Sequence, residues 1–453
     1  MEILSILSST INYINHFMWG PFMVFLILLI GFFFVVRTRI FKPYKLKLCI
    51  KSIYNNTIHR NKEKRREAIS PFKAGMTALA STMGVGNIVG VATAILAGGP
   101  GAIFWMWIAG LCGMAIKYSE ILLSIRYRDT SGNNHLGGPM YYIANGLRKK
   151  RLALLFSFFG VLATIGTGNM VQANAIASSL YGNLNIPTIF TGIILTVLCS
   201  TILIGGFKRI FSSLLFCLPF MSVFYLLGGI TIILLNISSF LPAFFQIFIY
   251  AFSFKSVGGG VMGYVIIVAM RYGLARGIFS NEAGLGTAPM IHATSSTKEP
   301  VEQGFWGIFE VLIDTLVINT ITALVILISG FYKEDVSGAM LVQKSFYNAF
   351  GNFGNIFISL SIFLFAGTTI IGWYFYGQQC VNYLSKSNPK FERIYKTFYI
   401  VLTFIGATSS ILIIWNIADT FNGLMMITNL LALILLRKEV ISLTKNYFQN
   451  KTL

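Results

Sequence analysis

Ala80-Ser81-Thr82-Met83-Gly84-Val85-Gly86-Asn87 stands inside one long apolar run, and Gly277-Ile278-Phe279-Ser280-Asn281-Glu282-Ala283-Gly284-Leu285-Gly286 stands inside another. Glycine costs about 1 kcal/mol in a helix interior relative to alanine, and Ser and Asn compete for backbone hydrogen bonds. Each stretch therefore reads as a break in a spanning helix. A break bares N–H and C=O groups that lipid cannot satisfy, so it must line a polar cavity. Glycine used for close helix packing explains one such stretch well. It explains two less easily, each joined to Asn and hydroxyl residues.

The rest of the chain names the solvent. Apolar residues make up 55% of the 453, charged residues 11%, and phenylalanine alone fills 40 positions. Soluble domains carry about 25% charged residues, because something must face water. An ordinary soluble enzyme and a disordered protein are both excluded. The net charge of +20 resembles a nucleic-acid signature. Its lysines and arginines, however, cluster in short runs between apolar stretches, as in cytoplasmic loops of membrane proteins. Lipid is the expected surrounding and nucleic acid is not an expected partner. The five cysteines are odd in number and lack metal-ligand spacing, so they read as packing residues. There is no H-E-x-x-H and no phosphate loop, and the four histidines are scattered, which argues against an enzyme.

A span needs about 20 apolar residues. Eleven candidates follow: 17–36, 74–97, 101–125, 152–181, 187–205, 210–236, 260–290, 304–330, 355–383, 394–414 and 417–436. The aromatic stretch 240–254 is too short and reads as interfacial. With the N-terminus outside, 29 of the 35 lysines and arginines fall on the cytoplasmic side, three fall outside and three lie within spans. The expected architecture is an all-α membrane protein. Residues 1–73 form an extra N-terminal helix and a basic cytoplasmic loop. Residues 74–236 and 260–436 form two sets of five spans, 237–259 an extracellular interfacial segment and 437–453 a cytoplasmic tail. The broken spans open each set. Five is odd, so the second set runs in the opposite sense, the arrangement of inverted-repeat carriers with substrate held between broken helices.

Charges inside spans are costly, and eight occur there or at span ends. Lys117 and Glu120, three apart near a cytoplasmic end, are expected to pair. Asp419 is expected near the outer mouth. Glu310 and Asp314, four apart on one face, need partners on another helix, and Arg271 or Arg276 are the nearest by type. These residues, with Glu282, form either an ion-pair staple between helices or a gate.

The breaks offer matching chemistry. A half-helix starting after Gly84 presents free N–H groups and a positive dipole end, which suits a carboxylate. The unwound carbonyls before it suit a sodium ion. Asn87 adds a side-chain oxygen, Thr368 and Thr369 add hydroxyls, and Gln172 offers a carbonyl to an ammonium group. Trp373, one helical turn after Thr369, is a candidate pocket wall.

The chain resembles the alanine or glycine:cation symporters, the sodium:alanine symporter family, along essentially its whole length. The resemblance is carried by Gly86-Asn87-Ile88-Val89-Gly90-Val91-Ala92-Thr93-Ala94-Ile95 running into Gly98-Gly99-Pro100-Gly101-Ala102-Ile103-Phe104-Trp105-Met106-Trp107. It is carried also by Gly137-Gly138-Pro139-Met140-Tyr141-Tyr142, by Arg276 through Gly286, and by Ile371-Gly372-Trp373-Tyr374. The resemblance implies a leucine-transporter-type fold of ten core helices plus one, and symport of a small neutral amino acid with sodium in a prokaryotic cell membrane. It implies a substrate carboxylate at the N–H groups of Val85 and Gly86. It implies sodium at carbonyls around Ala80, Thr82 and Met83, with a Thr of the 368–369 pair. Gln172, Thr369, Trp373, Ile278 and Phe279 would line the pocket. The family usually has Thr where this chain has Val85, and binding survives there if only the N–H is used. Buried Glu282, Glu310 and Asp314 keep open a carrier of the same fold driven by protons or by exchange. No obligatory protein partner is expected.

Overall fold

The computed structural model describes residues 18–58, 69–131, 135–252, 262–409 and 411–452. The basic run 62–67 and the end of the interfacial segment, 253–259, lie outside the described residues. The described chain is helical apart from two isolated β-bridges.

The helices are α1 (Pro21–Thr38), α2 (Pro43–Ile58), α3 (Pro71–Thr82), α4 (Val89–Gly98), α5 (Ala102–Tyr127), α6 (Lys150–Ile165), α7 (Val171–Leu184), α8 (Thr188–Ile204), α9 (Gly206–Leu235) and α10 (Ile237–Ala251). There follow α11 (Met262–Asn281), α12 (Ala288–His292), α13 (Pro300–Val311), α14 (Asn319–Ser329), α15 (Gly338–Phe350), α16 (Asn352–Ser385), α17 (Pro389–Thr408), α18 (Ile411–Leu435) and α19 (Arg437–Thr452). A helix, or a pair of helices in sequence, occupies each of the eleven apolar stretches. Six of these units among the described residues are long and apolar enough to cross a membrane by length and composition: α5, α6 with α7, α9, α13 with α14, α16, and 418–435 of α18. A belt of large apolar side chains faces outward, from Phe25 and Phe32 of α1 through Phe190, Val197, Phe220 and Leu227 to Phe398 and Val401 of α17. Water does not tolerate so continuous an apolar face.

Local chemistry sets the ends. Ser70 accepts the Lys73 N–H at 3.3 Å, with Pro71 at the first helical position of α3. Asn388 and Pro389 do the same for α17. α1 stops at Arg39, which takes a left-handed φ of 51°. The chain then turns by 94° into α2, where the sequence suggested only a loop. Lys45 of α2 donates to the Thr38 carbonyl at 2.8 Å and covers the Phe448 ring, so α2 is tied to the end of α1 and to α19. The interfacial segment forms α10, which lays Phe244 and Phe248 on Trp107 and Phe104 of α5. The loop expected after residue 330 contains α15, capped by Ser337 and packed on α4 and α16.

Two spans contain a widened turn, Gly166–Met170 between α6 and α7 and Leu312–Ile318 between α13 and α14. Such π-turns are rare and often mark functional positions. The core of the fold is the meeting place of α3, α5, α11, α13 and α16.

Candidate functional site

The first break lies between α3 and α4. Met83 is extended (φ −68°, ψ 104°), Gly84 is extended, and Val85–Asn87 form one tight turn. A continued helix would give the Gly84 N–H to the Ala80 carbonyl. It goes instead to Asn87 Oδ1 at 3.0 Å. The Val85 N–H donates to Gln172 Oε1 at 3.2 Å, and Gln172 Nε2 donates to the Thr167 carbonyl at 3.2 Å. Among the described residues none accepts from the Gly86 N–H. Space explains the glycine at 84: a Cβ there would stand 2.6 Å from Thr369 Oγ1 and 3.2 Å from Gln172 Oε1.

The second break follows α11. The Asn281 side chain accepts the Ala283 N–H at 3.0 Å, and the chain then passes through left-handed Glu282 (φ 58°), Gly284 (φ 90°) and Gly286 (φ 78°) before α12. Glycine adopts such angles without strain and glutamate does not. Glu282 is held there by its carboxylate, which accepts from Thr287 Oγ1 at 2.6 Å and from Trp373 Nε1 at 2.8 Å. Trp373 in turn lies on Gly168 of the π-turn, where a Cβ would come within 2.5 Å of its Cγ. The gate candidate Glu282 and the wall candidate Trp373 are thus one bonded pair.

The two breaks touch. A Cβ on Gly86 would stand 3.2 Å from Ser280 Cα and 3.3 Å from Phe279 Cδ1. Asn87 Nδ2 lies 2.6 Å from Asp314 Oδ1, 2.8 Å from Asn319 Oδ1, 3.1 Å from Ser280 Oγ and 3.2 Å from the Asp314 carbonyl. A primary amide has two protons, so four acceptors around one nitrogen make an oxygen-rich cage. Ser280 and Thr315 donate to Asp314 Oδ2 at 2.9 and 2.8 Å. Asp314 is fully buried and makes no ion pair among the described residues.

A second oxygen cluster lies where α3 ends against α16. Thr369 Oγ1 is 3.2 Å from the Met83 carbonyl and 3.1 Å from the Phe365 carbonyl, and Thr368 Oγ1 is 2.9 Å from the same Phe365 carbonyl. The proposed sodium ligands therefore divide. Met83, Thr368 and Thr369 come together, and Asn87 joins the Asp314 cage. Thr82 turns away, donating to the Ala78 carbonyl at 3.0 Å and accepting from Lys117 Nζ at 3.3 Å.

The expected ion pairs are not the ones formed. Lys117 does not pair with Glu120. It pairs with Glu310 at 3.0 Å and donates to the Asn281 carbonyl at 3.0 Å. Neither Glu310 nor Asp314 forms an ion pair with Arg271 or Arg276, because helix packing turns Glu310 toward α5 and Asp314 toward the Val85–Asn87 turn. Glu310 also meets His292 Nε2. Gln303 accepts from Ser295 through its carbonyl and presents its amide 2.7 Å from His292 Nδ1. His292 thus bridges Gln303 and Glu310 through its two ring nitrogens. Glu120 instead accepts from Asn429, whose other partners are Tyr142 and the Gly284 carbonyl. The sequence singled out Tyr142 within its glycine-rich motif but did not connect Asn429 to it.

Cavities lie on both sides of the breaks. One, of about 220 Å³, is lined by Trp19, Arg271, Tyr272, Arg276, Phe279 and Asp419. Ile278, next to Phe279 on α11, is buried and does not line it. On the basic-loop side the half-helices are fastened instead. Ile69 forms a parallel bridge with Ser295: its N–H meets the Thr294 carbonyl at 3.3 Å, and its carbonyl takes the Ser296 N–H at 2.7 Å. Arg128, just past the end of α5, donates to the carbonyls of Ala293, Ser295 and Thr297. Burial pushes its guanidinium down to about 10.

The family model described as "Sodium:alanine symporter family" matches residues 4–453. The chain is 40% identical to the sodium/alanine symporter AgcS of Methanococcus maripaludis, over 97% of each chain. It is 35% identical to the probable sodium/glutamine symporter GlnT of Bacillus subtilis, over 98% of this chain and 92% of that one. Among solved structures, MhsT in complex with L-phenylalanine aligns with TM-score 0.57 at 13% identity, covering 80% of this chain and 89% of the other. A sodium-coupled sialic acid symporter aligns with TM-score 0.55, also at 13% identity, covering 92% and 86%.

Proposed function

The chain belongs to the sodium:alanine symporter family, and from that premise we propose that it carries a small neutral amino acid, alanine or glycine, into the cell together with sodium by alternating access. It is a multi-pass membrane transporter with a leucine-transporter-type fold, not an enzyme. The finer reading keeps eleven spans, an N-terminal helix added to an inverted repeat of five and five, with the N-terminus outside and the C-terminus in the cytoplasm. Its support is the pairing of one break from each set of five.

One observation carries the reading: two interrupted helices meet at Gly86 and Ser280 around a buried carboxylate with no cationic partner among the described residues. Sodium prefers several oxygen ligands, and the cage of Asp314, Ser280 and Asn319 supplies them once the Asn87 amide yields. The second cluster, Met83 with Thr368 and Thr369, offers another set. The amino acid lies between them. Its carboxylate takes the Gly86 N–H and, once Gln172 releases it, the Val85 N–H. Gln172 then turns its carbonyl to the ammonium group. Thr369, Trp373, Ile278 and Phe279 close around a small side chain. Arg276 faces the outer cavity, where it would admit or retain substrate, while Glu282 and Glu310 act at the inner side.

Gln172→Ala and Thr369→Ala each lower sodium-driven L-alanine uptake into proteoliposomes about tenfold or more, the loss of one hydrogen bond to a charged ligand. Normal uptake by both variants overturns the pocket assignment. Uptake by the wild type that is indifferent to an imposed sodium gradient overturns the coupling, and leaves the proton-driven or exchange reading.

A further inference from the structure

A cavity of about 300 Å³ on the basic-loop side belongs to neither oxygen cluster. Its walls come from the inner end of α16, from α17, from the turn between α8 and α9, and from His135, Leu136 and Thr294. Tyr374, Gln378, Gln379 and Asn382 of α16 face it, on the same helix that carries Thr369 and Trp373. At about 1.5 Å of rise per residue, Tyr374 lies about 8 Å and Asn382 about 20 Å along the helix from Thr369. The cavity therefore lies inward of Thr369 along α16, beyond Trp373, which is bonded to Glu282.

Three features of the lining point to one ligand class. Glu392 and Lys396 both line the cavity and sit four apart on α17, one face of one helical turn. They form no ion pair with each other, and Lys396 forms none with any described residue. Glu392 is oriented by Gln378 Nε2, which donates to it at 2.6 Å. Tyr374 also lines the cavity: the residue is 1% exposed, and its hydroxyl, buried beneath the wall, has no hydrogen-bond partner among the described residues. A buried hydroxyl left unsatisfied is costly, and a polar ligand removes the cost. Phe207 and Phe375 add an apolar wall. Opposite charges, a free hydroxyl and a small apolar surface within about 300 Å³ match an amino-acid zwitterion.

We propose that this cavity is a second amino-acid site on the release path, independent of sodium. Lys396 holds the carboxylate, Glu392 the ammonium group and Tyr374 a carboxylate oxygen. The proposal rests on the reading of the protein as an amino-acid carrier. It separates the sodium-dependent site at the breaks from a holding site into which the substrate passes once Trp373 moves.

Equilibrium dialysis of radiolabelled L-alanine against the purified full chain, with and without sodium, tests it. The wild type is expected to bind alanine in two components, one of them surviving in sodium-free buffer. Lys396→Gln and Glu392→Gln weaken that sodium-free component about tenfold or more, the loss of one charge-assisted contact. Lys396→Arg, which keeps the charge, holds it within about threefold of wild type. A single sodium-dependent component, or a sodium-free component that Lys396→Gln leaves intact, overturns the second site. Loss of the sodium-dependent component alone overturns the carrier reading at the breaks while leaving the second site standing.

Discussion

Asp314→Asn lowers sodium-driven alanine uptake about a hundredfold and raises the sodium concentration for half-maximal uptake by a similar factor. The substitution keeps the shape of the side chain and removes its charge. In the wild type, that carboxylate is fully buried and receives only neutral donors, from Asn87, Ser280 and Thr315. Burying a carboxylate without a counter-charge is costly. On the proposed reading a co-transported cation supplies the charge that no ion pair provides, beside the oxygens of Ser280 and Asn319. A charged ligand contributes about 1.5–3 kcal/mol more than its removal leaves, which is roughly ten- to more than a hundred-fold in affinity. Uptake measured against sodium concentration decides the matter. An unchanged half-maximal sodium concentration in Asp314→Asn removes this residue from the ion site.

The second large effect is on stability. Lys117→Met is expected to lower the stability of the protein by about 3–5 kcal/mol, because Glu310 is left charged and buried without its partner. Both side chains are wholly buried, and the lysine also holds Asn281, the last residue of α11, and Thr82, the last of α3. Removing both charges restores most of the loss, since paired burial gains little over an apolar pair. Thermal unfolding in detergent should therefore show a large drop for Lys117→Met and a much smaller one for Lys117→Met with Glu310→Leu. Equal drops in the two proteins would deny that the pair is coupled. The same lysine ties α3 and α11 together where each helix breaks, so the single variant is also expected to transport poorly.

The breaks were legible because glycine beside Asn and hydroxyl residues has no place in a lipid-facing helix. Both Gly84 and Gly284 to Gly286 fall where the chain leaves its helix. Partners were less legible. Lys117 and Glu120 are close along one helix, and nothing local says that α13 brings Glu310 nearer. Asp314 found Asn87 rather than an arginine for the same reason: the meeting of the Val85–Asn87 turn with the π-turn Leu312–Ile318 decides it, and sequence spacing does not encode that. The π-turns at Gly166–Met170 and Leu312–Ile318 left only faint marks, a polar patch and a buried acid. The helices α2 and α15 were missed because polar or mixed sequence between spans reads as loop until its apolar face meets a neighbour. The division of the expected sodium ligands follows from rotation about α3, which turns Thr82 toward Lys117 while the Met83 carbonyl faces Thr369.

The short bridge joining Ile69 to Ser295 has an energetic corollary. It ties the entry to α3 to the exit from α12, so neither inner half-helix swings out without the other. Its two backbone hydrogen bonds, at about 0.5–1.5 kcal/mol each, bias an unladen molecule against exposing that face by roughly five- to more than a hundred-fold. For a carrier that works as proposed, such a bias restrains idle cycling: a vacant protein rarely reverses its access, and the stored ion difference across the bilayer is not dissipated without cargo.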